Sequence, residues 1–415
     1  MRFGASFRLL AAAAIAIVAL TGCGSGHGHA AAPESAGRTT TAATAGHRQR
    51  RPRAHRAGGR TQGSAAEPSQ PLVVGAVEDA AKFGDAEREM ALAADSGFGA
   101  VALSAVWTRG LRAPPPAELA GMARATAAAA RRDIRPIVAI YFFSSNTPTT
   151  PSDEADFAAY AAALARGLPD VRDVIVGNEP NLNLFFLPQY GPTGQDVAAT
   201  SFERLLAATY DALKGVDPAI QVIGAGLAPR GSDDPASPRA THSPTRFLVD
   251  MGAAYLKSHR RWPIMDALSI HPYGESPHVA PTLRHPRTSS IGIADYPKLV
   301  DLLGHVFGDS AQRGRDLPIV YGEYGVETTI PSGKLPLYSG AETVNPVDET
   351  TQAHYYDTAI RLASCQPTVE ILLLFHVRDE PLLTGLQSGT RYADGTPKSS
   401  LVPVRRTLRD AAPCP

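Results

Sequence analysis

The sequence predicts a (β/α)8 barrel over residues 71–415, and three observations carry that prediction. Eight short apolar runs alternate with eight longer helical patterns along this part of the chain. The fourth and seventh runs each stop at a glycine with a glutamate just beyond it, and barrels of this class present their chemistry at such strand ends. The competing doubly wound sheet would want a glycine-rich phosphate loop after its first strand. Gly75-Ala76-Val77-Glu78-Asp79 does not supply one.

Taken in order, the strands are expected at Leu72–Val77, Ala100–Trp107, Pro136–Phe143, Val174–Gly177, Ile220–Ala225, Met265–His271, Ile319–Gly322 and Val369–Phe375. Helical periodicity covers Ala86–Ser96, Ala117–Arg132, Asp153–Arg166, Asp196–Gly215, Pro244–His259, Tyr296–Phe307, Thr350–Ala363 and Leu401–Ala411. Roughly 345 residues exceed the ~250 of a bare barrel, so elaborated loops are expected. The charges balance to zero, so the folded part implies no polyanionic partner such as nucleic acid.

The first 70 residues are different material. Arg2 and Arg8 flank a short n-region ahead of an apolar, alanine-rich run from Leu9 to Leu20. About twelve residues cannot cross a bilayer that needs about 20, so residues 1–22 read as a signal peptide. The run ends in Leu20-Thr21-Gly22-Cys23, which resembles a bacterial lipobox. That resemblance implies cleavage before Cys23, lipid on its sulfur, and an exported chain anchored at the outer face of the cell membrane. Residues 23–70 lack apolar periodicity and read as a disordered tether. Its basic run His47–Arg56 suits anionic lipid or wall polymer. With Cys23 lipidated, Cys365 and Cys414 form an even pair in an oxidising compartment. The helices that they follow both finish on the bottom face, where a bridge would stabilise the fold by roughly 4 kcal/mol.

The chemistry is expected from Glu179 in Gly177-Asn178-Glu179-Pro180 and Glu323 in Tyr321-Gly322-Glu323. Two carboxylates on two strand ends are what glycoside hydrolysis requires. Their order on strands four and seven, with His271-Pro272-Tyr273 ending the sixth, resembles the clan A retaining glycoside hydrolases, the family 5 and 39 type. Gly385–Gly389 and Asp394–Lys398 resemble the loop after the eighth strand of those enzymes, and the resemblance spans about residues 71–410. It implies Glu179 as acid/base with a raised pKa, and Glu323 as a nucleophile kept ionised by donors around it. Asn178 would bind a sugar 2-hydroxyl, Tyr273 would donate to Glu323, and His271 would stand behind them. No metal or organic cofactor is called for, and the implied partner is an oligo- or polysaccharide.

Departures accompany the resemblance. Family 5 proteins usually offer an Arg at strand two, a His at three and a Trp at eight. Here Arg109 is displaced, strand three ends in Tyr141-Phe142-Phe143, and Phe375-His376 replaces the Trp. Trp107, Tyr141, Phe185, Phe186, Tyr190, Tyr324 and Phe375 are candidates for stacking on sugar, two or three of them being expected to do so. Two alternatives stand beside the hydrolase reading: a carbohydrate-binding lipoprotein without turnover, and a metal-dependent barrel hydrolase. The second would want a His-x-His motif on strand one, which Gly75–Glu78 lacks. Oligomeric state is not legible.

Overall fold

The computed structural model describes residues 71–410. Within them eight parallel strands close into one barrel in chain order. They are β1 (Val73–Val77), β2 (Ala100–Val106), β3 (Arg135–Tyr141), β4 (Asp173–Val176), β5 (Gln221–Leu227), β6 (Ala267–Ile270), β7 (Ile319–Tyr324) and β8 (Val369–Phe375). β1 pairs with β8, Val73 opposite Ile371 through Val77 opposite Phe375, and this pairing shuts the ring. The helices are α1 (Ala80–Phe83), α2 (Ala86–Ser96), α3 (Pro116–Ala130), α4 (Pro151–Gly167), α5 (Ala198–Lys214), α6 (Pro244–Lys257), α7 (Tyr296–Phe307), α8 (Glu349–Ser364) and α9 (Leu401–Arg409).

Burial on both faces is why the strands read as unbroken apolar runs. On β8, Ile371, Leu373 and Phe375 join Ile137, Ile175, Ile223 and Val320 in one core cluster, inside the barrel. Leu372 and Leu374 point the other way, into the larger cluster beneath the helices. Ala100, Ala102 and Ala267 are the small members of the interior cluster and leave room for those larger side chains. Helices begin where the sequence supplies an acceptor: Asp85 accepts from the Arg88 amide, Ser243 from Arg246 and Asp348 from Thr351, and Thr150 forms a capping box with Asp153.

Two differences from expectation matter. A four-residue helix, α1, follows β1 and is too short to show a period. More consequentially, β5 does not end at Ala225 but runs on to Leu227 through an irregularity opposite β6. Ala225 and Gly226 there have φ of +79° and +56°. Cys23, Cys414, the signal peptide and the tether lie outside the described residues. Cys365 is the C-cap of α8.

The long loops lie at the C-terminal ends of β4 to β8, and a buried ion pair inside the last of them is tied to the one before through Thr328. Lys398 Nζ donates to Asp379 Oδ1 at 2.7 Å, with both side chains fully buried. It also donates to Thr328 Oγ1 at 2.7 Å and to the Gln387 carbonyl at 2.9 Å. Tyr338 and the Gly389 amide complete the set on Asp379. Lys398→Met strands a buried carboxylate and is expected to cost about 3–5 kcal/mol, toward the low end because two donors remain. Adding Asp379→Leu should recover most of that loss. Urea unfolding of the single and double variants checks it; equal loss in both would mean that the charges are not coupled.

Candidate active site

The chain leaves β4 through a turn that demands glycine. Gly177 has φ +97°, and a Cβ there would sit 2.8 Å from the Phe202 ring. Glu179 is itself left-handed, with φ +43°. Its amide donates to the Gly226 carbonyl at 2.8 Å. The irregularity in β5 therefore positions the glutamate of β4. A left-handed non-glycine residue costs on the order of 1–2 kcal/mol, and the neighbouring strand offsets it here.

Glycine also makes the slot for His271. A Cβ on Gly226 would lie 3.1 Å from His271 Nε2, and one on Gly322 would lie 3.2 Å from the same ring and 2.4 Å from Ser269 Oγ. The imidazole of β6 thus fits between a glycine of β5 and a glycine of β7. From that slot, Nδ1 lies within hydrogen-bond distance of Glu179 Oε1, at 3.2 Å, and 3.7 Å from Glu323 Oε2. The Tyr273 hydroxyl donates to the same Glu323 oxygen at 3.1 Å.

Burial dominates the electrostatics. It raises Glu323 to about 7, helped by the charge of Glu179 and opposed by His271 and the Tyr273 donor. This corrects the expectation that donors would simply hold Glu323 ionised: they offset only part of the desolvation. For His271, burial works downward, but the charges of Glu323 and Glu179 prevail and raise its pKa. Burial and Glu323 hold the Tyr273 phenol protonated, so it stays a donor at any working pH.

Two cavities meet at the carboxylates. The deeper, about 30 Å³, descends on the β1–β3 side among Val77, Ala102, Ser104, Tyr141 and Ile175, with room for a water or two. The broader, about 220 Å³, opens on the β4–β6 side beside Glu179, Asn183, Pro229, Arg230 and Tyr273. Asn178, Phe185, Glu323 and Phe375 line both. His271 and Tyr141 line the deeper one.

The remaining candidates lie elsewhere. Trp107 is wholly buried, donates its indole N–H to the Leu111 carbonyl and packs between Phe142 and Phe157. Tyr324 is 2% exposed and packs on Tyr356. Both are corrected from sugar contacts to core residues: their side chains leave the strands toward the helices. His376 is also corrected. It is buried, its Nδ1 donates to the Val77 carbonyl at 3.1 Å, and it lines neither cavity. Arg109 donates to the Thr147 carbonyl instead of entering the mouth. Phe186 is core, and Tyr190 packs on His242.

Sequence reasoning missed Gly226, Ser104 and Arg230. The first was legible only as a strand terminator. Ser104 sits mid-strand among apolar residues with nothing to single it out. Arg230 follows β5 in Pro229-Arg230-Gly231, a basic residue at a strand end that could have been weighed with the carboxylates.

No protein-family model and no curated protein matches this sequence. Solved structures do. A family 39 glycoside hydrolase from the gut symbiont Bacteroides cellulosilyticus WH2 superposes with TM-score 0.58 at 18% identity, over 81% of this chain and 63% of that one. A glucosidase from Croceicoccus marinus gives 0.57 at 14%, over 83% and 69%. A monomeric beta-xylosidase from Caulobacter crescentus CB15 gives 0.52 at 15%, over 81% and 69%. The chain spans less than two thirds of the length of the family 39 enzyme. At such identities the likeness is one of fold: residues 71–410 form a (β/α)8 barrel of the kind found in these glycoside hydrolases.

Proposed function

We propose that this protein hydrolyses O-glycosidic bonds of an oligo- or polysaccharide with retention of configuration. The observation that carries the reading is one imidazole nitrogen serving two carboxylates, 3.2 Å from Glu179 and 3.7 Å from Glu323. Those two oxygens can be no further apart than the two distances laid end to end. Both carboxylates can then act on one anomeric carbon, and the retaining reading takes them as the close pair, roughly 5–5.5 Å apart, of a double displacement.

In the first step Glu179 gives its proton to the glycosidic oxygen as the bond from C1 to that oxygen breaks, and a Glu323 oxygen bonds to C1. In the second, Glu179 takes a proton from water, the water oxygen bonds to C1, and Glu323 leaves as carboxylate. Asn178 lies beside both groups, where a sugar hydroxyl would be held. A screen of aryl glycosides and polysaccharides, followed by proton NMR of the first-formed anomer, tests the reading. An inverted first product would sink the retaining mechanism.

Glu323 must be ionised to attack, so kcat/KM should rise with pH through about 7. Tyr273→Phe removes a donor that lowers that pKa, so the limb should move to higher pH while kcat falls about 10–100-fold. A pH–rate profile decides: an unmoved limb with near-normal kcat returns Tyr273 to packing.

One observation favours the second reading, a carbohydrate-binding barrel without turnover. Tyr141 and Phe375, at two of the positions where the chain departs from family 5, line the deeper cavity of only about 30 Å³. Tight binding of a glycan that is never cleaved would decide for it.

A further inference from the structure

We propose that the cavity beside Glu179 receives a sugar bearing a negatively charged substituent, met by the guanidinium of Arg230. The inference rests on the glycosidase reading for the ligand being a sugar.

Arg230 lines the broader cavity with Glu179 and Glu323. Its Nη1 donates to the Tyr273 carbonyl at 3.3 Å and its Nη2 to the Gly274 carbonyl at 3.0 Å. A guanidinium carries five N–H groups, so these two bonds leave three for other partners. Two other arginines that are mostly or wholly covered in this fold are matched to a carboxylate: Arg378 to Glu89 and Arg391 to Asp95. Among the described residues no carboxylate stands within ion-pair distance of Arg230; Glu275 and Glu179 act on it only from further away. Burial accordingly works against its charge and lowers its pKa. A half-buried cation with open donors favours a ligand that completes it.

The planar fork matches a carboxylate or a sulfate, the charged groups that sugars carry, better than it matches a single hydroxyl. Arg230 makes no ion pair with Glu179. Held by two backbone carbonyls beside it instead, the guanidinium remains available to substrate. The bland account is a brace: Arg230 serves only to fix the Tyr273–Gly274 backbone.

Calorimetry on the full chain separates the two. The ligands are an oligoglucuronan, the same oligosaccharide after carboxyl reduction, and an O-sulfated form of the reduced one. The wild type is expected to bind at least one anionic form about 10–100-fold more tightly than the neutral form. Which anionic form it prefers tells carboxylate from sulfate. Arg230→Gln should abolish the preference, lowering anionic affinity about 10-fold or more beyond any loss for the neutral form, and added salt should weaken the wild-type preference. The proposal is overturned by a wild type with no anionic preference or no binding, by a preference that survives Arg230→Gln, or by equal loss for neutral and anionic forms. Binding needs no turnover. An anionic preference without hydrolysis therefore sinks only the hydrolase reading, and hydrolysis without the preference sinks only this one.

Discussion

Glu323→Ala is expected to lower kcat by about 10⁴-fold or more while the barrel stays folded. The variant loses the group that would bond to C1, so no glycosyl-enzyme forms. A small anion such as azide can then occupy the vacated side and attack an activated aryl glycoside, giving a glycosyl azide of inverted configuration. Stability should not suffer. Glu323 has a folded pKa of about 7 against an ordinary 4.5. The folded state therefore holds the extra proton between those values, and stability falls as pH rises through that window. Alanine removes that loss. Relative to wild type, Glu323→Ala should be more stable at pH 8 than at pH 5, as measured by thermal unfolding. A variant with full activity would remove Glu323 from the chemistry.

Glu179→Ala should divide substrates by leaving group. With poor leaving groups the missing proton costs about 10²–10⁴-fold, whereas activated aryl glycosides need little protonation to form the intermediate. Turnover of the latter should stall at the second step, where no base is left to activate water. Azide should relieve that stall and give a product of retained configuration, the opposite of the Glu323 variant. Proton NMR of the two azide products settles the assignment: retention from Glu323→Ala and inversion from Glu179→Ala would exchange the roles. The side chains share a histidine, so the two losses should not add.

Much of this was legible in the residues because the signals were local. β8 lies where its apolar run lies, and α2 and α7 match their periodic stretches at both ends. The glutamates could be placed because a barrel fixes which end of each strand faces the mouth. What could not be read depends on contacts between strands. Nothing in Gly224-Ala225-Gly226 says that the strand continues, since the irregularity is defined by its pairing to β6. The slot for His271 needs a glycine from each neighbouring strand, and no window along the chain contains both. Trp107 and Tyr324 failed as sugar contacts because both stand at a strand end, where one residue of register decides between the mouth and the helical layer.

The pairing of β1 with β8 bears on chains that are incomplete. The two partners lie roughly 300 residues apart, so closing the ring carries the largest loop-entropy cost of the eight strand pairings. Until Val369–Phe375 is in place, β1 and β7 each present an open row of backbone donors and acceptors. Val73–Val77 carries no charge, proline or lysine to discourage another strand from docking there. A chain cut short before β8 is thus not a smaller barrel but a sheet with two adhesive edges, and its natural partner is another copy of itself.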